Sequence, residues 1–353
     1  MNSVTHMKAA PLALGLMLLA ASIPSMARPW SIAIHGGAGV IDRKSLTPEQ
    51  DAAYRAALQR AIDAGIAVLD SDGAALDAVQ AAISVMEDDP LFNSARGAVF
   101  TSEGRIELDA SIMDGKTLAV GAVAGVTRTR HPLQLARRVM ENSPHVMMIG
   151  PGADTFSREQ GLEQVDPSWF YTERRWQALE EFLKARGLPI PAKPAGASNL
   201  RTALDDLVHD EGKKGTVGAV VVDRAGNVAA GTSTGGTTGK RWGRVGDSPI
   251  IGAGTYASNA SCAVSATGTG EYFIRLTVAR EICALVEYKN MSLQAAADEV
   301  IQKRLTELGG DGGIIAVAPD GQIAWSFNTS GMYRARAAQG KGVEIGIYKE
   351  DRR

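Results

Sequence analysis

The sequence predicts an α+β fold in which two stacked β-sheets lie between layers of helices. Apolar residues follow helical spacing in two long stretches near each end of the chain. Strand-like runs come in groups before, between and after these stretches, which does not fit a strict alternation of strand and helix. Many of these runs are apolar along their whole length, as is typical of strands covered on both faces.

Composition indicates a globular protein that binds a small molecule. The 353 residues are 45% hydrophobic and 22% charged, which is enough for a large core in one or two domains. The formal net charge is −2, and Lys and Arg are scattered along the chain. Nucleic acid is therefore not expected as a partner.

The N-terminal end is typical of a secretory signal peptide. Lys8 precedes an apolar run over residues 9–21, which is too short to span a bilayer, and Ser25-Met26-Ala27 fits the small-x-small cleavage rule. We expect residues 1–27 to be removed and the mature protein to be periplasmic or secreted, with no membrane partner. A retained interfacial anchor is the alternative.

The predicted elements before the linker begin with a strand and a glycine loop, and continue with helices and strands. They are a strand at 30–34, a glycine loop at 35–39, helices at 49–70 and from 73 to about 86, a hairpin over 98–112, a strand at 118–126, a helix from 132 to about 142, a short buried strand at 146–149, and helical segments from 152 that include 169–183.

Residues 184–215 are predicted to form a surface linker. Pro189, Pro191 and Pro194 exclude regular structure there, and such a segment can be cut without disturbing a core. The elements predicted after it are a hairpin over 217–222 and 228–232, a strand-like pair at 250–251, helices at 272–288 and 292–308, and a last hairpin over 314–318 and 322–327 that closes the fold.

The only two cysteines are Cys262 and Cys283. Export would permit a disulfide, but Cys283 lies in an apolar helical pattern and Cys262 in a run of small residues. Two buried free thiols are at least as consistent with these surroundings. The chain has no CxxC motif or His/Cys cluster that would indicate zinc.

Two motifs imitate other enzyme classes. Gly231-Thr232-Ser233-Thr234-Gly235 matches the nucleophile elbow of α/β-hydrolases, but that chemistry needs a histidine after the serine, and all five histidines precede Ser233. Gly268-Thr269-Gly270 lacks the third glycine of a dinucleotide fingerprint. Neither reading is retained.

Thr216 lies where the linker meets an apolar, β-branched run. A threonine hydroxyl is a poor nucleophile unless a base lies beside it, and a free α-amino group on the same residue supplies one. An α-amine with a pKa of ~8 is well placed to exchange a proton near pH 7. The sequence therefore predicts self-cleavage between Gly215 and Thr216.

Four motifs together resemble the plant-type L-asparaginases and isoaspartyl peptidases of the N-terminal-nucleophile hydrolase class. They are Gly-Thr-Val-Gly-Ala-Val from Gly215, Gly-Thr-Ser-Thr-Gly-Gly from Gly231, Gly-Arg-Val-Gly-Asp-Ser-Pro from Gly243, and Ala-Thr-Gly-Thr-Gly-Glu from Ala266. The resemblance covers residues 30–345. It implies a four-layer αββα sandwich, a single domain made of an α chain (28–215) and a β chain (216–353), and a homodimer of cleaved αβ units.

The resemblance also implies roles for individual residues. Thr216 would be the nucleophile, Thr234 would bond its hydroxyl, and Asn93 and Thr267 would donate to the oxyanion. Arg244 would bind the substrate's α-carboxylate and Asp247 its α-ammonium, and the substrate would meet the backbone at Gly268. An Arg and an Asp two residues apart in a Gly/Pro-rich loop can indeed read a zwitterionic head group.

The implied reaction releases L-aspartate from β-aspartyl dipeptides and L-asparagine, and it needs no cofactor. The family often holds a structural sodium ion on backbone carbonyls of the loop that here runs from Met86 to Gly97. This chain departs from the family's usual Asn-Ala-Gly-x-Gly pattern by having Ala95 at a glycine position. The runner-up functions are a glycosylasparaginase and, in a different class, a non-catalytic periplasmic amino-acid-binding protein.

Overall fold

A computed structural model describes Met1 and residues 28–194 and 215–351, and within these residues the chain forms twelve strands and eight α-helices. The strands are β1 (Ser31–Gly39), β2 (Leu108–Asp114), β3 (Val120–Val126), β4 (Met147–Ile149), β5 (Val217–Val222), β6 (Val228–Thr234), β7 (Thr255–Ala257), β8 (Ala263–Gly268), β9 (Gly312–Val317), β10 (Ile323–Phe327), β11 (Gly331–Ala338) and β12 (Glu344–Tyr348). The helices are α1 (Pro48–Asp70), α2 (Ala75–Asp88), α3 (Pro132–Asn142), α4 (Gly150–Glu159), α5 (Glu173–Lys184), α6 (Gly270–Leu276), α7 (Val278–Lys289) and α8 (Leu293–Asp298), and α8 continues as a π-helix over Glu299–Leu305.

The predicted signal peptide, apart from Met1, and residues 195–214 of the predicted linker lie outside the described residues. The structure describes residues 184–194 and Gly215 of the predicted linker. Lys184 is the last residue of α5, and residues 185–194 contain turns and no helix or strand. None of the described helices combines the length and the apolar character that crossing a membrane requires.

The described strands form two sheets. The larger has eight strands in the order β12-β11-β1-β5-β6-β2-β3-β4, and the smaller has four in the order β10-β9-β8-β7. Strand β5 lies in the interior of the larger sheet, where it pairs antiparallel with β1 on one side and β6 on the other. This is the strand that begins immediately after Thr216.

Helices cover the outer faces of both sheets. Helices α1, α2 and α3 pack on the larger sheet through buried side chains such as Leu58, Ile83 and Leu133. The two sheets meet across a second apolar cluster that includes Val220 and Ile315, and α7 and α8 cover the smaller sheet. The resulting order of helix, sheet, sheet and helix confirms the predicted αββα sandwich.

The long helices form where the sequence predicts them, because their ends carry strong signals. Thr47 caps α1 in a capping box with Gln50, and Pro48 occupies the first turn. The buried residues Ala57, Leu58, Ala61 and Ile62 repeat at helical spacing on the side that faces the sheet. The predicted helix over 132–142 is likewise confirmed as α3.

The predicted glycine loop at 35–39 is wrong, since β1 continues to Gly39 with a bulge between His35 and Gly37. Strand β11 pairs with this stretch as far as Gly39, and β5 pairs with it at His35, so a loop there would leave buried backbone groups unpaired. The glycines serve close packing instead. A side-chain carbon on Gly36 would come within 2.4 Å of the Phe92 ring.

Four further predictions of elements need correction. Residues 98–100 are not a strand, and β2 pairs with β3 and β6 rather than closing a hairpin over 98–112. Strand β4 is an exposed edge strand rather than a buried one.

The fold does not close with the β9–β10 hairpin, because β11 and β12 follow and β11 pairs with β1. The predicted helix over 272–288 is two helices that meet at Thr277, whose φ is +46°.

Cys262 and Cys283 form a disulfide that joins the residue before β8 to α7. Their Cα atoms are 5.4 Å apart, and both side chains are buried. The structure thus selects the disulfide from the two states that the sequence left open.

Candidate active site

Thr216 lies at the entrance of β5, with 8% of its surface exposed. Its hydroxyl donates to the hydroxyl of Thr234, at an Oγ1–Oγ1 distance of 3.0 Å. Thr234 is the last residue of β6, and the β5–β6 register pairs Val217 with Ser233, which brings the two threonines side by side. Two neighbouring strands of one sheet therefore fix both hydroxyls.

The carbonyl oxygen of Gly215, on the peptide bond predicted to be cut, accepts two hydrogen bonds. Asn93 Nδ2 donates to it at 2.7 Å and Thr234 Oγ1 at 3.2 Å. Asn93 Nδ2 also donates to the carbonyl of Gly236 at 2.8 Å, and the Gly236 amide donates to Thr234 Oγ1 at 3.0 Å. Asn93, Thr234, Gly215 and Thr216 thus form one hydrogen-bonded group, in the way the sequence predicted them to be neighbours.

The loop that carries Asn93 is tightly held. Ala95 is fully buried and has a φ of +43°, a backbone conformation that favours glycine. Arg174 donates to the carbonyl of Pro90 at 2.8 Å, and Arg175 donates to that of Gly97 at 2.8 Å. The loop therefore keeps Asn93 on Gly215 although the chain has Ala95 at the glycine position.

A buried carboxylate lies behind this loop, and sequence reasoning missed it. Glu87 is fully buried and accepts from Ser233 Oγ at 2.7 Å and from the Leu133 amide at 3.0 Å. Ser94 donates to Ser233 at 2.7 Å, and His131 Nδ1 lies 3.2 Å from Glu87. Burial lowers the pKa of His131, but the hydrogen bond and charge of Glu87 outweigh it, so that the pKa is raised overall.

His35 holds the main chain of the nucleophile from the other side. Its Nδ1 donates to the Thr216 carbonyl at 3.0 Å, and its Nε2 accepts from Ser265 Oγ at 2.9 Å. Burial lowers the pKa of His35 to about 3, so the ring is neutral, which fits one donating and one accepting nitrogen. Sequence reasoning missed this role, because it placed His35 only at the start of a predicted glycine loop.

Arg244 and Asp247 converge on one point, at Gly270. A side-chain carbon on Gly270 would lie 2.8 Å from Asp247 Oδ1 and 3.0 Å from Arg244 Nη2. The guanidinium of Arg244 forms a bidentate pair with Glu271, at 2.9 and 3.0 Å. Asp247 is buried, its Oδ2 has no hydrogen-bond partner among the described residues, and burial raises the pKa of its carboxyl to about 7. A cation and a buried carboxyl therefore stand together, as zwitterion recognition requires.

The structure ties Thr267 and Gly268 less directly to Thr216. The hydroxyl of Thr267, on β8, is fully buried and accepts from the amide of Ala38 at 3.4 Å. Gly268 has a φ of +158°, and a side-chain carbon there would come 2.4 Å from the carbonyl of Asp311. Gly268 is thus a position where the backbone of Asp311 approaches closely, and its predicted contact with the substrate stays a prediction.

Among the described residues, no group of three or more His, Cys, Asp or Glu side chains is arranged to hold a metal ion. The remaining candidate site for an ion is the backbone of the loop from Met86 to Gly97.

The chain is similar to known proteins over most of its length. A model of the asparaginase family matches residues 28–347. The chain is 49% identical to an isoaspartyl peptidase of Salmonella typhimurium over 320 residues, covering 90% of this chain and 98% of that protein. It is 48% identical to an isoaspartyl peptidase of Escherichia coli, covering 90% and 96%, and 40% identical to a plant-type L-asparaginase of Pyrococcus abyssi, covering 88% and 97%.

Proposed function

This chain belongs to the asparaginase family, and we propose that it is an autoprocessing hydrolase that releases L-aspartate from β-aspartyl dipeptides and L-asparagine through a threonine acyl-enzyme. The observation that carries the proposal is the pairing of Thr216 with Thr234 beside a Gly215 carbonyl that accepts from two donors. The names of the similar proteins support isoaspartyl peptidase and asparaginase chemistry rather than glycosylasparaginase chemistry.

Self-cleavage is the first step of the proposed mechanism. The Thr216 oxygen attacks the Gly215 carbonyl carbon, and the hydroxyl proton is transferred in the course of the step to the Thr216 nitrogen. Asn93 Nδ2 and Thr234 Oγ1 donate to the carbonyl oxygen and stabilise the negative charge that develops on it. The bond from the Gly215 carbon to the Thr216 nitrogen then breaks. Water hydrolyses the resulting ester, which leaves a carboxylate on Gly215 and a free α-amine on Thr216.

Catalysis reuses the same groups on a substrate. The α-amine of Thr216 acts as base for its own hydroxyl. Departure of Gly215 frees one N–H of Asn93, which then donates to the oxyanion of the substrate's side-chain carbonyl, and each such donor is worth about 3–4 kcal/mol. Thr267 is proposed as the second donor on the strength of the family resemblance.

Arg244 and Asp247 orient the substrate in this proposal. The α-carboxylate binds Arg244 and the α-ammonium binds Asp247, which leaves the β-carbonyl as the reacting end. Glu271 occupies the guanidinium in the free protein and is 58% exposed, so the substrate's carboxylate displaces a solvated side chain. The charge of a bound ammonium favours the ionised form of Asp247.

Intact-mass measurement of the purified protein tests the proposal. We expect two fragments separated between Gly215 and Thr216, and a single uncleaved chain for Thr216→Ala. Thr216→Ser is the matched control, because it keeps a hydroxyl and an α-amine. Processed protein should release aspartate from β-aspartyl-leucine and ammonia from asparagine. A wild-type chain that stays intact, or a Thr216→Ala variant that hydrolyses either substrate, would contradict the assignment.

A structural sodium ion on the loop from Met86 to Gly97 is also proposed. The carbonyls of Pro90 and Gly97 already accept from Arg174 and Arg175, so the ion would use other carbonyls of the loop. We expect sodium chloride to raise the melting temperature above that in choline chloride of equal ionic strength. Equal melting temperatures in the two salts would argue against the ion.

The assembly and the location are proposals as well. A homodimer of cleaved αβ units is expected from the family, and β4 offers a surface for it. Val146 and Ile149 are 63% and 66% exposed at this sheet edge. Light scattering of the wild type and of Ile149→Glu tests the dimer and its surface. N-terminal sequencing of protein from a periplasmic fraction tests removal of residues 1–27.

A further inference from the structure

A buried pair of opposite charges lies behind the candidate active site, outside the residues to which a role has been given. The side chain of Lys240 is 1% exposed, and so is that of Asp109. Lys240 Nζ donates to the carbonyl of Glu107 at 2.9 Å and lies 3.9 Å from Asp109 Oδ2. Glu107 also places its carboxylate 3.9 Å from the ammonium.

Burial of the Asp109 carboxylate carries a large desolvation free energy. Its Oδ1 accepts from the amide of Gly125 at 2.9 Å, and its Oδ2 has no hydrogen-bond partner in the described part of the chain. Burial raises the pKa of Asp109, and the charge of Lys240 opposes this rise. Removing the partner of a buried charge is much more costly than removing both charges.

The position of the pair connects it to the nucleophile. Asp109 stands directly opposite Thr234 in the register of β2 and β6. Lys240 packs on the backbone of Gly236, where a side-chain carbon would lie 3.1 Å from its Cδ and 3.3 Å from its Nζ. Lys240 and Asp109 therefore flank the end of β6 and the turn that follows it.

The turn that Lys240 packs against holds both groups that act on the scissile carbonyl. The Gly236 amide donates to Thr234 Oγ1, and the Gly236 carbonyl accepts from Asn93 Nδ2. A shift of this one residue would move a threonine hydroxyl and an amide N–H at once. The backbone of Lys240 is also held by hydrogen bonds. Its amide donates to the carbonyl of Thr237, and its carbonyl accepts from the amide of Ser102.

We propose that Lys240 and Asp109 are positioning residues, a buried ion pair that holds the Gly236 turn and thereby sets the geometry of Thr234 and Asn93 on the nucleophile. The inference rests on the proposed function of Thr216. It assigns the pair no contact with the substrate, so the pair acts on the rate of bond cleavage more than on substrate binding.

The test compares Lys240→Met with the charge-neutral double variant Lys240→Met/Asp109→Asn. A displacement of about 1 Å at a catalytic group costs up to about 100-fold in rate, so we expect Lys240→Met to slow autocleavage and to lower kcat at least about tenfold, with a smaller change in KM. The double variant should recover part of the lost kcat, because no unpaired carboxylate stays buried. Lys303→Met is the control, since Lys303 is 60% exposed in a surface pair with Glu299.

The readouts are the time course of cleavage by intact mass, kcat and KM for β-aspartyl-leucine on processed protein, and the melting temperature. A processed Lys240→Met enzyme with wild-type kcat would overturn the proposal, whatever its melting temperature. If Lys240→Met does not fold, the kcat and KM of the double variant Lys240→Met/Asp109→Asn test the proposal instead. A kcat below a third of the wild-type value at unchanged KM supports the proposal, and wild-type kcat overturns it. Failure of the wild type itself to cleave or hydrolyse would instead refute the proposed function.

Discussion

Among single residues, Asp247 has a buried carboxyl group that makes the stability of the folded protein depend on pH. Burial raises the pKa of its carboxyl to about 7, although the charge of Arg244 opposes the rise. The folded protein therefore holds this proton more tightly than the unfolded chain, in which an aspartate has a pKa of about 3.9. The bound proton of Asp247 therefore contributes to the free energy of unfolding. This contribution is complete below about pH 4 and is lost as the pH rises through about 7.

Asp247→Asn should accordingly stabilise the substrate-free protein at pH 8 and leave its stability nearly unchanged at pH 4. We expect a gain on the order of 1–3 kcal/mol at pH 8, because the amide carries no charge to desolvate. Urea unfolding at both pH values measures it, with the exposed Asp63→Asn as control. An equal gain at the two pH values would show that the charge of Asp247 is not the cause. The variant should at the same time lose most of its activity.

The pair of Arg244 and Glu271 competes with the substrate in our proposal. Glu271→Gln should lower KM for asparagine up to about fivefold at unchanged kcat, because an exposed ion pair is worth at most about 1 kcal/mol. Steady-state kinetics checks this. Glu344→Gln is the matched control, since Glu344 makes a similar exposed pair with Arg336 at 2.7 Å. A KM that stays the same or rises in Glu271→Gln would refute the competition.

At the scale of elements, the loop from Met86 to Gly97 depends on its backbone conformation. Gly97 has a φ of +91°, and a side-chain carbon there would lie 2.5 Å from the carbonyl oxygen of Pro90 and 2.8 Å from that of Phe92. Both oxygens belong to the backbone, so they cannot avoid the added carbon by a change of side-chain rotamer. The loop, and with it Asn93, must move to admit any other residue.

Gly97→Ala should cost more than about 2 kcal/mol and slow autocleavage, because it combines a strained φ with backbone overlap. Ala95→Gly is the matched control at the other residue of positive φ. It should stay within about 1 kcal/mol of the wild type, since relief of strain offsets the loss of a buried methyl group. Urea unfolding and intact mass measure the two effects. A Gly97→Ala protein with wild-type stability and cleavage would contradict this account.

Elements with strong local signals could be predicted, and those made by tertiary packing could not. Helix α1 carries a capping box and helical spacing, and β5 is an unbroken apolar run, so both follow from the sequence. Four of the six residues of strand β8 are Ala, Ser or Gly, which gives it a weak strand signal, and it is paired on both sides with β7 and β9. The glycines of β1 resemble a turn in sequence, yet they continue a strand that pairs with β11 as far as Gly39.

The same limit applies to the site. Thr216 could be predicted because a linker meets a strand there, whereas Arg244 and Asp247 were predicted from the family resemblance, with which their spacing agrees. Glu87 and Asp109 look like surface acids in sequence, where charge usually means exposure. Only the packing of α3 and β6 around Glu87, and of Lys240 beside Asp109, shows that both carboxyl groups are buried.

For the whole molecule, the proposed cut divides the larger sheet between two chains. Residues before Thr216 supply β1 to β4, and those after it supply β5 to β12. In the sheet, β1 lies between β11 and β5, and β5 and β6 lie between β1 and β2. The disulfide joins Cys262 to Cys283, so both its ends lie in the second chain and it does not link the two.

This interleaving changes the molecularity of folding. An uncut chain folds in a unimolecular reaction, whereas two separated chains must first collide. We expect processed, denatured protein to refold with a half-time that shortens as its concentration rises, and Thr216→Ala precursor to refold with a half-time independent of concentration. Intrinsic fluorescence over a tenfold concentration range distinguishes them, and first-order refolding of the processed protein would contradict the prediction. Once cut, the enzyme at low concentration would persist through slow unfolding rather than through its ability to refold.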